Sequence, residues 1–204
     1  LLHRVMKKNE QNNAYSINES ELMQYYGYEG TIGKFKLKVK FLKSWIFHSL
    51  AYSSPHPGFV IKMQRARGVK IGKNCHISPY VQIDLLYPHL ITIEDNVTIA
   101  TSTMIFAHVN PTTNLFLKQH GYSRKVEPVT IKTGAILFPG SIVTAGVTIG
   151  KNTMIDGTLM IQSYGGEIRI GDNCYVGLNS QIWSSENVFI GNNVLIAHNV
   201  NIID

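Results

Sequence analysis

Cysteine is scarce: Cys75 and Cys174 are the only two in 204 residues, so no disulfide framework staples this chain. Charged residues make up 16% against 44% hydrophobic ones, enough apolar material for a sizeable core. No run of about 18 uncharged apolar residues occurs, so no spanning helix is expected. The first residues lack the charged-then-apolar pattern of a secretory signal, which points to the cytoplasm. The chain opens on Leu1, as a fragment or trimmed product would. Eight histidines are present, yet none forms a pair at short helical or hairpin spacing, so no metal is expected. The charge is lopsided: +6 overall with a pI near 9.3. That favours anionic partners such as a phosphate-bearing cofactor, an acidic glycan or a membrane surface. Nucleic acid is not expected, because no basic stretch coincides with a recognisable reading module.

What the chain does have is a period. From Val69 onward aliphatic residues recur every six positions, a spacing that neither a helix nor an ordinary strand produces. The series runs Ile71, Ile77, Ile83; Ile93, Ile99, Ile105; Ile131, Leu137, Val143; Ile149, Ile155, Ile161; Ile170, Val176, Ile182; Ile190, Ile196, Ile202. Four residues after most of them stands a small or β-branched residue, such as Cys75, Ala135, Ser141, Thr153 or Ser180, with Leu159 and Glu186 as exceptions. A coil of three short strands explains both rules. One side chain per strand points to the axis and stacks on its equivalents, and the adjacent corner has room only for something small. Hexads run unbroken inside each triplet, and extra residues fall only between triplets, the longest excursion preceding Ile131. Such loops leave a triangular solenoid at one corner without disturbing the stacked core.

Motifs such as Ile71-Gly72-Lys73-Asn74-Cys75, Ile149-Gly150-Lys151-Asn152-Thr153 and Ile170-Gly171-Asp172-Asn173-Cys174 resemble those of the hexapeptide-repeat acyltransferases, in particular sugar and polysaccharide O-acetyltransferases. The resemblance covers about residues 67–204. It implies an all-β fold, a left-handed parallel β-helix of about six triangular coils with a short, partly helical N-terminal segment. The left hand is an exception to the usual crossover rule and comes from the resemblance alone. Three stretches are expected: 1–66, an N-terminal helical and basic amphipathic segment; 67–166, a β-helix with a catalytic loop at 107–130; and 167–204, further coils that echo the start of a second unit.

A twenty-residue excursion without periodicity is more often functional than not. His108 stands three residues after inward Ile105, where the chain leaves the coil. The resemblance implies that this imidazole is the general base that takes a proton from a hydroxyl as it attacks the thioester of acetyl-CoA. Asn110 either holds a substrate hydroxyl or shapes the turn. By the same resemblance, Pro139 and Gly157, each two residues past an inward aliphatic, lie where the pantetheine arm of acetyl-CoA would bond main-chain groups. His120, Lys118, Tyr122, Arg124 and Lys125 lie further out on the loop, where they either meet CoA phosphates or an anionic sugar or, as exposed basic loop residues usually are, are simply solvated. A homotrimer with its site between neighbouring prisms is also implied.

Ahead of the coils, Asn18 or Ser20 can cap a short helix through Tyr26. The stretch from Lys34 to Ile46 is basic and apolar together. As a helix it can lie on an anionic membrane face with Trp45 at the interface, and contact through 34–50 would make the protein peripheral at the inner membrane face. Its first eight residues also alternate as an edge strand would, and packing on the solenoid's end as a cap is equally open. Pro55 and Pro57 mark the hinge into the coils. Two functions are expected from all this: acetyl transfer from acetyl-CoA to a sugar or glycan hydroxyl, or a non-catalytic β-helix that serves as a scaffold or is an inactive relative.

Overall fold

The computed structural model describes residues 16–109, 114–162 and 165–204. Three helices come first: α1 (16–26), α2 (Gly30–Tyr52) and α3 (Pro57–Ala66). From Lys70 the chain winds into a parallel β-solenoid of six coils.

The three inward columns are read directly from strand pairing. The first stacks Ile71, Ile93, Ile131, Ile149, Ile170 and Ile190. The second stacks Ile77, Ile99, Leu137, Ile155, Val176 and Ile196. The third runs Ile83, Ile105, Val143, Leu159, Ile182 and Ile202. All are buried except Ile71, Ile190 and Ile202 in the first and last coils, which are partly buried. Each buried Ile or Leu removes its side chain from water, a gain of about 1.5–3 kcal/mol, and this one continuous stack is the core.

One column member differs from the sequence expectation. Val143 pairs with Leu159, and so does Ile182, while Ile161 pairs with Ser184. The register shifts between Ile155 and Gly157. The corner between the second and third faces is thus shortened by two residues in the fourth coil, and the chain recovers them before Ile170. Leu159 broke the small-residue rule because it is a core residue; Ile161 buries itself beyond the third face instead.

The corners have a common cause. Asn74, Asn96, Asn152, Asn173 and Asn193 all sit at φ between 53° and 60°, three residues past the first inward column. Gly134 takes that place in the third coil at φ 74°. The left-handed region costs most side chains 1–2 kcal/mol, and asparagine and glycine least. Asn152 donates to Asn173 and Asn173 to Asn193, each at 3.3 Å, so the corner carries a short amide ladder.

The basic segment is a helix; the edge-strand option is not taken. Gly33, Leu37, Ser44, His48 and Ala51 are its buried residues; Gly33 packs on Met23 and Tyr28, the helix lies against α3, and Ser44 donates to the Leu85 carbonyl beyond the first coil. Helix α3 starts at Pro57, whose missing N–H costs nothing there, and His56 Nδ1 accepts from the Phe59 amide at 3.2 Å. Arg67 ties the assembly together. Its guanidinium, only 7% exposed, donates to Ser44, His48 and Gln64 and to the carbonyls of Ile83 and Asp84.

Candidate functional site

The third column delivers the site. After Ile83 the first coil ends in Asp84, and after Ile105 the second coil ends in Ala107 and His108. Because Ile83 and Ile105 are stacked partners, these departures lie one above the other. Asp84 Oδ2 accepts from His108 Nδ1 at 2.6 Å and from the Ala107 amide at 2.9 Å. Its Oδ1 accepts from the amides of Leu86 and Tyr87 at 2.8 and 3.0 Å. The Asp84 side chain is wholly buried, and the His108 ring is 13% exposed.

Burial alone would push the Asp84 carboxyl up. The hydrogen bond and charge of His108 and the two amide donors outweigh it and hold the group below its ordinary value. An ionised carboxylate only accepts, so the His108 proton facing it must sit on Nδ1. In the neutral ring, Nε2 is then the basic nitrogen. The fully buried Tyr87 packs edge-on against His108 at 5.3 Å, and Phe106 at 6.3 Å. The ring is therefore held by a carboxylate and by two aromatic neighbours.

The excursion itself contains an antiparallel ribbon, β1 (His108–Val109) with β2 (Lys125–Val126), and a one-turn helix, α4 (Leu115–Gln119). Lys118, Arg124 and Lys125 are engaged rather than solvated, whereas His120 and Tyr122 are exposed. Lys118 and Arg124 both pair with Glu21 of α1, at 2.6 and 3.2 Å, with side chains only 9% and 7% exposed. Arg124 also donates to Asn18 at 2.8 Å, and Lys125 to the Gly166 carbonyl. Helix α1 thus straps the base of the loop to the solenoid, and these cations are already engaged.

Asn110 lies outside the described residues. Pro139 is exposed and Gly157 partly buried. Both sit at the corner between the second and third faces, because Gly140, next to Pro139, takes the left-handed turn three residues past Leu137. His108 leaves from the other end of the third face. One chain therefore brings His108 and Asp84 together but keeps Pro139 and Gly157 on a different edge. Gly157 also has a local reason to be glycine: a Cβ there would stand 2.3 Å from the Ser180 carbonyl oxygen of the next coil.

Sequence reading missed Asp84, Tyr87 and Glu21. The signal for Asp84 was an acid directly after the last inward Ile of a coil, one coil before His108. A cavity of about 570 Å³ opens between α1, α2 and residues 85–89, lined by Leu22, Tyr26, Leu37, Phe41, Leu86 and Pro88 among others. None of His108, Pro139 or Gly157 lines it. Among the described residues no group of three or more His, Cys, Asp or Glu side chains converges, and both thiols are free.

Stacked hexapeptide coils, with one excursion rooted in an Asp–His pair, define the class: a β-solenoid built like the hexapeptide-repeat acyltransferases, which this chain resembles. A family model described as the hexapeptide repeat of succinyl-transferase matches residues 167–202. A solved hexapeptide-repeat-containing acetyltransferase from Vibrio cholerae superposes with a TM-score of 0.51 at 14% identity, covering 79% of this chain and 87% of that one. A structure of a hexapeptide-repeat-containing acetyltransferase from Vibrio cholerae O1 biovar eltor, complexed with acetyl coenzyme A, superposes at 0.47 and 16% identity, covering 76% of this chain and 82% of that one. At these identities the likeness is one of fold. No curated protein matches the sequence.

Proposed function

We propose that this protein is an O-acetyltransferase that moves acetyl from acetyl-CoA to a hydroxyl of a sugar or glycan precursor, in polysaccharide biosynthesis, with His108 as general base. The observation that carries the reading is the His108–Asp84 hydrogen bond of 2.6 Å at the root of the long excursion. A base that must take a proton at neutral pH needs a fixed tautomer and a partner for the imidazolium that forms. Asp84 supplies both. In direct transfer, Nε2 removes the hydroxyl proton as the oxygen attacks the thioester carbonyl. The tetrahedral adduct then collapses, the C–S bond breaks, and the imidazolium returns the proton to the departing sulfur.

The active unit in this reading is a homotrimer. A second prism is needed because Pro139 and Gly157, the positions proposed for the pantetheine arm, lie on another edge from His108; a neighbour's edge can bring them alongside. Asn110 is assigned to the acceptor. No metal takes part. Two free thiols suit a reducing compartment, which supports the cytoplasmic part of this reading; its other part is peripheral contact with the inner membrane face through residues 34–50. Thiol release from acetyl-CoA with a panel of sugars tests the reading. Activity that disappears in His108→Ala at unchanged melting temperature supports it. Acetyl-CoA that does not bind even at millimolar concentration overturns it in favour of a non-catalytic scaffold.

A further inference from the structure

Helix α2 is apolar on two opposite sides, and only one of them is used. Leu37, Ser44, His48 and Ala51 are buried against the rest of the protein. On the other side Ile32, Phe35, Val39, Leu42, Ile46 and Leu50 repeat at intervals of three and four residues, which puts them on one stripe of a 3.6-residue helix. All six face outward, with Ile32 73%, Phe35 68% and Leu42 52% exposed. Monomeric soluble proteins seldom display a contiguous apolar stripe that runs the length of a 23-residue helix.

The borders of the stripe say what covers it. On the helical wheel Lys36 and Lys43 run along one side, and Lys38 and Trp45 along the other; all four are exposed. Five lysines and no acidic residue occur between Gly30 and Tyr52. The helix is too charged to cross a bilayer, and no helix among the described residues is long and apolar enough to do so. A second copy docked through the same stripe would set one row of lysines against another. An anionic lipid surface answers both features: it takes apolar side chains to the depth of the headgroup boundary and draws lysines to its phosphates.

We infer that the outward stripe of α2 is a docking surface for an anionic bilayer, with the helix lying in the interfacial plane, Phe35, Leu42 and Ile46 inserted, and Lys36, Lys38 and Lys43 at the headgroups. The cap and membrane roles of this helix are therefore both filled, one by each face. The inference deepens the inner-face placement proposed above, but its test does not involve catalysis. The full chain is centrifuged with vesicles of phosphatidylglycerol and phosphatidylethanolamine, and separately with phosphatidylcholine alone. Binding is expected to the first, to weaken with salt, and to be at least about tenfold tighter than to the second. With Trp183→Phe leaving Trp45 as the sole indole, emission is expected to shift to the blue on anionic vesicles. The variant Phe35→Gln/Leu42→Gln/Ile46→Gln removes only exposed side chains and is expected to melt unchanged while losing binding at least about tenfold. Lys36→Gln/Lys43→Gln is expected to weaken binding and flatten its salt dependence. The inference is overturned if the unmodified protein ignores anionic vesicles, if the triple variant binds as well, or if that variant lowers the mass in solution, which would assign the stripe to contacts between copies. A protein that binds vesicles yet transfers no acetyl group would sink the enzymatic reading and leave this one standing.

Discussion

The imidazole of His108 and the carboxylate of Asp84 meet at 2.6 Å across 24 residues of sequence, because stacking Ile83 on Ile105 superposes the ends of two coils. In the proposed function Asp84 is a positioning residue: it touches His108, and His108 is the group assigned to meet the substrate. Asp84→Asn is expected to lower kcat by at least about a hundredfold, because an amide can present its NH2 to Nδ1 and reverse the tautomer. The KM for acetyl-CoA should move little. The double variant with His108→Ala is expected to be no slower than His108→Ala alone, since both act through one ring. Additive losses would assign Asp84 a separate, structural role. Because its folded pKa is lowered, Asp84 also contributes stability that is present above the ordinary carboxylate range and disappears as pH falls through the folded value. Asp84→Asn should flatten the acid limb of the stability curve correspondingly.

The solenoid was legible because its rule is local. Seventeen of eighteen inward positions follow from counting by six; the left-handed corners, which asparagine and glycine occupy at least cost, show only in the backbone. Counting failed at Leu159, where a corner lost two residues and the following loop restored the total, so that the count resumed correctly at Ile170. The site was half legible. His108 stands out at the root of the excursion, but Asp84 is recognisable only once the coils are stacked, and stacking is a three-dimensional relation. The loop cations were misjudged for the same reason: Glu21, which engages Lys118 and Arg124, comes from a helix about a hundred residues earlier.

The corrected register makes a stability prediction. Leu159 is fully buried, whereas Leu178, in the next coil, is 47% exposed. Leu159→Ala is expected to cost about 2–5 kcal/mol through lost burial and a residual cavity. Leu178→Ala should stay within about 0.5 kcal/mol of the unmodified chain. Urea unfolding followed by circular dichroism separates the two. Equal, small costs would mean that Leu159 does not belong to the inward column.

His48 reports on the seam between α2 and the first coil. Burial lowers its pKa, and the neighbouring Arg67 guanidinium lowers it further, to about 4 from an ordinary 6.5. The sign follows from linkage. Between those values the unfolded chain binds a proton that the folded chain refuses, so stability falls as pH drops from about 6.5 towards 4. Above 6.5 the contribution is constant. His48→Gln keeps an acceptor for Arg67 and removes the titration, so its loss of stability between pH 7 and pH 5 is expected to be the shallower one. Parallel curves for the two proteins would show that another group governs this window.

Arg67 links that seam to the candidate site, because its guanidinium donates both to His48 Nδ1, at 3.0 Å, and to the Asp84 carbonyl. Arg67→Leu leaves the Ile83 and Asp84 carbonyls buried without their donor and is expected to cost about 3–5 kcal/mol of stability. It also removes the cation that disfavours a protonated His48, so the acid sensitivity of that histidine should move to lower pH-dependence, with its pKa rising towards the ordinary value. Activity should fall alongside, because the segment from Ile83 to Tyr87 carries the carboxylate that orients His108. Arg67→Lys keeps a charge but cannot reach Ser44, Gln64 and two carbonyls at once, so it is expected to recover only part of the stability. Nuclear magnetic resonance titration of His48 in both variants, beside their melting temperatures, tests the linkage. A His48 pKa that stays put in Arg67→Leu would separate the seam from the guanidinium and break the proposed connection to the site.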